Sequence, residues 1–360
     1  MALPLLDPDD PDATGRHLLA LPADIGHDEV ETLAISRFAR ATWEVVPTTA
    51  APRATGGARG LRTPHAAPGV LRLSRHSTLH GPYTVDRGIA TTLGLPTAAG
   101  QAYLLHAPVE RGDKPWPGGG DRDGLARAFP DGLPVRDEER VVTWLLAAAR
   151  RLGGAVRTAP VHGGVPALLI PDPAAAVDLT VYTDIWLEPE AALTVMRQAV
   201  PRAQLNLPAV PWAGPPPGTG QQVVPGTESM DGVRRRDLHR RADDHDIEAL
   251  TNAAPMNAYA VIADLDLDGI ISLEIGGETT LPPMIAALPW ASQGAVTYRV
   301  RWEPADVEEL EAERPSFSHR VARGRASPLV IAVTRAVHRA VAGEIADAMD
   351  FLVDPADLQA

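Results

Sequence analysis

The stretch Arg314-Pro-Ser-Phe-Ser-His-Arg-Val-Ala-Arg-Gly-Arg concentrates groups that bind anions. Arg314, Arg320, Arg323 and Arg325 offer planar forks of donors that match phosphate and carboxylate oxygens, and Ser316, Ser318 and His319 add hydroxyl and imidazole contacts. The stretch feeds a helix expected to begin near Pro328 with Ser327 as its N-cap, so free backbone N–H groups would point at the same anion. In a chain with 33 basic and 46 acidic residues and a formal charge of -13, so dense a basic cluster stands out. The competing role for these arginines is to hold a loop in place by pairing with Glu311 and Glu313. In an enzyme, His319 would be the acid or base acting on the bound phosphate or carboxylate.

Other patterns carry less chemistry. Asp264-Leu-Asp-Leu-Asp-Gly opens like a calcium loop, but its twelfth position is Ile275, and Glu274 falls one short of the bidentate ligand. Its flanks read as strands, so a polar-faced hairpin is expected. His76 and His80, with Asp86 beyond, are spaced as metal ligands on a helix, yet Gly81-Pro82 argues against a helix there. The run from Arg234 to Asp246 would put Arg first and Asp last in a helix, against the macrodipole. It reads as a solvated segment, with a docking patch for an acidic partner or ligation by His239, Asp243 and His245 as alternatives. Gly218-Thr-Gly220 lacks a third glycine in register, and neither a Walker A nor a GxSxG motif occurs.

Composition removes further chemistry. Cysteine is absent, which excludes disulfides, thiolate metal sites and thiol nucleophiles. Lys114 is the only lysine, which excludes most lysine chemistry. Arginine for lysine, with abundant Ala, Gly and Pro, is the codon bias of a GC-rich bacterial genome. The acidic balance disfavours nucleic acid and anionic membrane. Met1 to Asp10 has no basic region of a secretory signal and no apolar run is long enough to span a bilayer, so the cytoplasm is expected.

The elements that must position these groups follow from periodicity. Val30, Leu33, Ala34, Phe38, Ala41 and Val45 predict a helix over residues 28–46. Strands are expected near 70–73, 83–85, 102–108, 167–170, 178–187 and 295–303, with a hairpin over 258–275 turning at Asp268-Gly269. Helices are expected over 137–152, closed by Gly153-Gly154, over 189–200, over 304–313 and over 328–341. The Pro- and Gly-rich 201–227 stretch, with Pro215-Pro216-Pro217, reads as the main boundary. The expected division is a lead-in, helix and linker over 1–69, an α+β domain over 70–205, a linker over 206–254 and a second α+β domain over 255–360.

Two pairs of segments resemble each other. Trp144 to Val156 lies over Val333 to Ile345 without a gap, each followed by an apolar run ending in Asp-Pro, at Leu168 to Pro173 and Phe351 to Pro355. The strand before Glu188-Pro189 also resembles the strand before Glu303-Pro304. An internal duplication is one account, and recurrent use of common local motifs is the other. The expected fold class is α+β, as two similar halves, each a small mixed or antiparallel sheet with helices on one face. The expected function is a non-enzymatic cytoplasmic binding or regulatory protein, with a protein partner or a small anionic ligand and without cofactor, metal, nucleic acid or membrane. The alternatives are an enzyme acting on a phosphorylated or carboxylated small molecule through residues 314–325, and a metal-dependent hydrolase at His76 and His80.

Overall fold

Leu18-Leu-Ala-Leu is a continuous apolar run, and with His17 before it all five residues are buried as strand β1 (His17–Leu21). A strand apolar on both sides must be covered on both sides. Leu19 and Leu21 face α2 (His27–Arg37) and α5 (Arg136–Arg151), whereas Leu18 and Ala20 face α1 (Pro11–Gly15) and α3 (Arg87–Leu93). The computed structural model describes residues 3–49, 66–160, 164–206, 230–251 and 257–359, with the backbone alone for 245–251.

Strand β1 lies within a seven-stranded antiparallel sheet. Its order is β2 (Thr42–Val45), β3 (Gly69–Arg72), β4 (Thr78–Thr84), β5 (Gln101–His106), β1, β6 (Ala155–Arg157) and β7 (Leu168–Leu169). Helix α5 forms as its sequence requires, with Asp137, Glu138 and Glu139 at the positive end and Arg150 and Arg151 at the negative end. Gly153 then turns the chain back at φ +65°, a region that favours glycine. A four-residue helix, α4 (Leu125–Ala128), precedes α5.

The second sheet has six antiparallel strands in the order β9 (Gln204–Asn206), β10 (Ala258–Asp264), β11 (Ile270–Glu278), β12 (Ala295–Glu303), β8 (Leu179–Thr183) and β13 (Glu344–Asp347). Helices α6 (Pro189–Arg197) and α9 (Phe317–Val341) cover one face, over Val181, Val261, Leu273 and Val300. The short α8 (Pro283–Ala286) lies on the other, where Ile285 meets Tyr182 and Ala346. The protein is therefore α+β, built on two antiparallel sheets.

The two sheets share one connectivity. With the short α4 and the helix between β9 and β10 set aside, the first runs in chain order β1, α2, β2, β3, β4, α3, β5, α5, β6, and the second runs β8, α6, β9, β10, β11, α8, β12, α9, β13. Strand neighbours correspond at every step. The gapless sequence match falls on equivalent elements, α5 into β6 and α9 into β13. The Asp-Pro runs correspond too: β7 pairs with β6, and Leu352 bridges Ala346 of β13. The second match pairs β8 with β12, which occupy different places in the shared order.

Three sequence expectations need correction. First, residues 1–69 are no lead-in, because β1 pairs with both β5 and β6; the sheet needs a strand that periodicity could not reveal in so short an apolar run. Second, β8 and β9 belong to the second sheet although they fall within 70–205, and β9 pairs directly with β10. The Pro-rich stretch between β9 and β10 thus interrupts one sheet. Pro215-Pro216-Pro217 and Gly218-Thr-Gly220 lie outside the described residues, as do residues 50–65. Third, the helix expected over 28–46 stops at Arg37, and Thr42–Val45 pairs as strand β2. In addition, both sheets carry helices on their reverse faces as well.

The halves interlock. Phe351, beyond β13, is buried in the core of the first half beside α5. Arg37 of α2 bonds Asp350 at 2.6 Å, and α2 lies against α8.

Candidate functional site

Helix α9 starts eleven residues earlier than expected, at Phe317 rather than Pro328. Ser316 is its N-cap and accepts from the His319 N–H at 3.2 Å. Pro328 sits inside the helix on its exposed side, as does Gly324, whose carbonyl the proline cannot bond; water can reach it there. The arginine-rich segment is thus the opening of a helix, and the 3.6-residue period separates its members.

His319 and Arg323, four apart, turn inward and are buried. Arg323 bonds Asp172 at 2.7 Å. Arg320 and Arg325 are exposed, and Arg325 pairs with Asp268 at 3.3 Å. Ser318 lies outside, its Oγ 2.9 Å from that of Ser316. Arg314 is exposed at the rim. Of the seven candidates, Arg314, His319 and Arg323 line one cleft; Arg320, Arg325, Ser316 and Ser318 do not.

This cleft, about 290 Å³, opens between the halves. The first half adds Arg122 and Asp123 from the loop before α4 and Arg127 from α4 itself, and the link from β7 to β8 adds Asp172. Glu309 and Glu313 close the other side. Arg127 bonds Glu313 at 2.7 Å across the halves, and the Asp121 N–H reaches the Glu311 carbonyl at 2.8 Å. The Arg127 guanidinium holds the Glu313 carboxyl below its ordinary range. Burial pushes Asp172 up, but the Ala174 N–H and Arg323 outweigh it and keep the carboxyl low. Arg150, buried at the end of α5, pairs with Asp123.

Two residues that line this cleft each have a buried nitrogen without a hydrogen-bond partner, Arg122 Nε, 4.0 Å from the Asp123 carboxylate, and His319 Nδ1. Burial, then the neighbouring Arg323 charge, lowers the His319 pKa and keeps the ring neutral at pH 7. Its ring lies 5.1 Å from that of Trp302. Among the described residues no carboxylate is hydrogen-bonded to His319, so nothing sets its tautomer as an acid–base dyad would. The arrangement can take an acceptor-rich group between a guanidinium and an imidazole.

A second cluster escaped the sequence reading. His17 Nδ1 accepts from the Ala159 N–H at 2.9 Å, so Nε2 carries the proton and donates to Glu138 Oε1 at 3.1 Å. The other oxygen of Glu138 accepts from the Glu110 N–H at 2.7 Å and pairs with Arg111, which lies 4.7 Å over the Phe129 ring. Burial pushes Glu138 up, but His17, Arg111 and the Glu110 N–H together lower it. Both nitrogens of His17 are occupied, so it has no lone pair for base catalysis, and the cluster fastens β1 to α5.

The histidine and acidic motifs resolve as structure. His80, on β4, stacks on His106 of β5 with centroids 3.8 Å apart, and His76 sits in the tight turn before β4. Asp264 accepts from the Asp266 N–H at 2.8 Å within the β10–β11 turn, Asp266 pairs with Arg202 and Asp268 with Arg325. Among the described residues no group of three or more His, Asp or Glu is placed to hold a metal ion. Nor is any described helix long and apolar enough to cross a membrane. The arginines and acids from the first half could not be found from sequence, because only the packing of two distant segments brings them to α9. Comparison of the chain with protein families, curated proteins and solved structures finds no match in any of the three.

Proposed function

We propose that this chain is a binding protein of the bacterial cytoplasm whose inter-half cleft takes a small carboxylate- or phosphate-bearing molecule. The observation that carries the reading is that Arg122 and His319 line one cleft while Arg122 Nε and His319 Nδ1 lack a hydrogen-bond partner, the nearest carboxylate to Arg122 Nε being that of Asp123 at 4.0 Å. Leaving such atoms unpaired costs roughly 1–3 kcal/mol each, so an acceptor that reaches them gains that much back. Arg314 at the rim, with no ion pair among the described residues, can meet the remaining charge of an anion. The cleft arginines Arg122, Arg127 and Arg323 already have Asp123, Glu313 and Asp172 beside them, so the site favours a small ligand of modest charge over a polyanion. Binding is preferred over catalysis because His319 lacks an orienting acid among the described residues.

The test is thermal shift with inorganic phosphate, pyrophosphate and citrate. The wild type is expected to rise in melting temperature with at least one of them. Arg122→Gln and His319→Ala should abolish that rise, while Arg320→Ala, outside the cleft, should keep it. No shift with any anion, or a shift undiminished in Arg122→Gln, would reject the site.

A further inference from the structure

Helix α7 (Gly232–Thr251) is the long element that the two sheets do not explain. Among the described residues, none of its side chains joins any of the four apolar clusters. Val233 is 69% exposed and Leu238 44%. An isolated helix of this length is marginal in water, and this one lacks the alanine-rich composition that helps. Its charges make matters worse. Arg234, Arg235, Arg236, Arg240 and Arg241 occupy the first half, and Asp243, Asp244, Asp246 and Glu248 the second. Each block sits at the end of the helix dipole that repels it. Asp231 caps the start, accepting from the Val233 and Arg234 N–H groups at 2.9 Å, and Asp237 pairs with Arg240 and Arg241. By sequence, the stretch from Asp231 to Arg241 carries five arginines and two carboxylates.

We propose that α7 is a self-association element, pairing antiparallel with α7 of a second copy of this chain. Antiparallel pairing sets the arginine half of one helix against the acidic half of the other, twice, through a single two-fold axis. It also opposes the two macrodipoles, and it covers Leu238, which lies one turn before Ala242 on the same face. The border between the blocks lies at Ala242, which therefore marks the axis. The occupant is identified by charge: the sequence that fits an arginine block followed by an acidic block, read antiparallel, is the same sequence. Charges exposed at such an interface are screened by salt, so the dimer dissociates as ionic strength rises.

Sedimentation and native mass spectrometry test this. The wild type is expected to be dimeric at low salt, with its Kd weakened roughly tenfold or more between about 50 mM and about 500 mM salt. A variant with Arg234, Arg236, Arg240 and Arg241 changed to Glu, and another with Asp243, Asp244, Asp246 and Glu248 changed to Arg, should each be monomeric. Mixed, they should form a one-to-one heterodimer. Near-UV circular dichroism of each variant should match the wild type, because none of the described side chains of α7 joins either core. The chain has no cysteine, so single thiols report position cleanly. Ala242→Cys should be joined to its copy by a short bismaleimide. Val233→Cys should not, since antiparallel pairing about residue 242 sets the two copies about 27 Å apart along the axis. A monomeric wild type at low salt, a dimer that survives both reversals, mixed variants that do not associate, or efficient linkage at Val233→Cys would each overturn the proposal.

Discussion

The two halves use one connectivity and finish it differently. In the first, the reverse face of the sheet is apolar: Leu18, Ala20, Ala102 and Leu104 are sealed beneath α1 and α3. In the second, the corresponding face is partly polar. Arg299 pairs with Glu278 at 2.9 Å and Arg301 with Glu274 at 3.7 Å, all partly exposed. The cause lies in what precedes each first strand. Residues before β1 supply α1 and the buried Leu6. Residues before β8 instead form the link that carries Asp172 into the cleft and Asp178 to the Trp302 N–H at 3.0 Å. A shared topology thus leaves open which face is closed, and short segments outside it decide.

Substitutions can break or sharpen this contrast. The largest effect should come from Phe351→Ala, which empties a fully buried site where the second half completes the first. We expect a loss of about 3–5 kcal/mol, read by urea unfolding, with both halves melting in one transition. If the halves are independent, only part of the signal will move. Glu138→Ala should follow closely, at roughly 3–5 kcal/mol, because it strands the His17 and Glu110 N–H groups and Arg111 in the closed half. A loss below that of the partly exposed Arg299–Glu278 pair would mean that water reaches the cluster.

The acid response should also belong to the first half. Burial and the neighbouring His80 lower His106 to about 4, and burial lowers His80. Arg16 adds to both, against the opposing charges of Asp10, Asp12 and Glu44. The unfolded chain takes protons near pH 6.5 and the folded chain does not. This contribution is therefore complete above about pH 6.5 and is lost as pH falls towards 4. His106→Gln should flatten the fall in urea midpoint between pH 6.5 and 4.5, and an unchanged slope would exclude the pair as its source. The smallest effect should come from Arg299→Ala on the open face. An exposed ion pair contributes about 0–1 kcal/mol, so a larger loss would show that this face is covered.

Sequence legibility cut across the two halves. Helix α5 and the β10–β11 hairpin were readable because each has a clear period and a glycine at its turn, Gly153 at φ +65° and Gly269 at φ +92°. Strand β1 was not, since a strand buried on both faces shows no alternation and four apolar residues carry no signal of type. At α9, Pro328 and Ser327 imitate a helix start that Ser316 makes earlier. That error placed seven side chains in one loop, whereas helical phase sends His319 and Arg323 inward and Arg320 out. The cleft itself depends on Arg122 and Arg127 meeting Glu309 and Glu313, a juxtaposition that no local pattern encodes.

The position of Phe351 bears on how the chain is made. A ribosome finishes every strand of the first sheet with Leu169, yet the ring that fills its interior emerges only after the entire second sheet has been synthesised. At ordinary elongation speeds that is a wait of roughly 10–40 s. Throughout it the nascent first half exposes an unfilled apolar hollow beside α5, the kind of surface that chaperones bind.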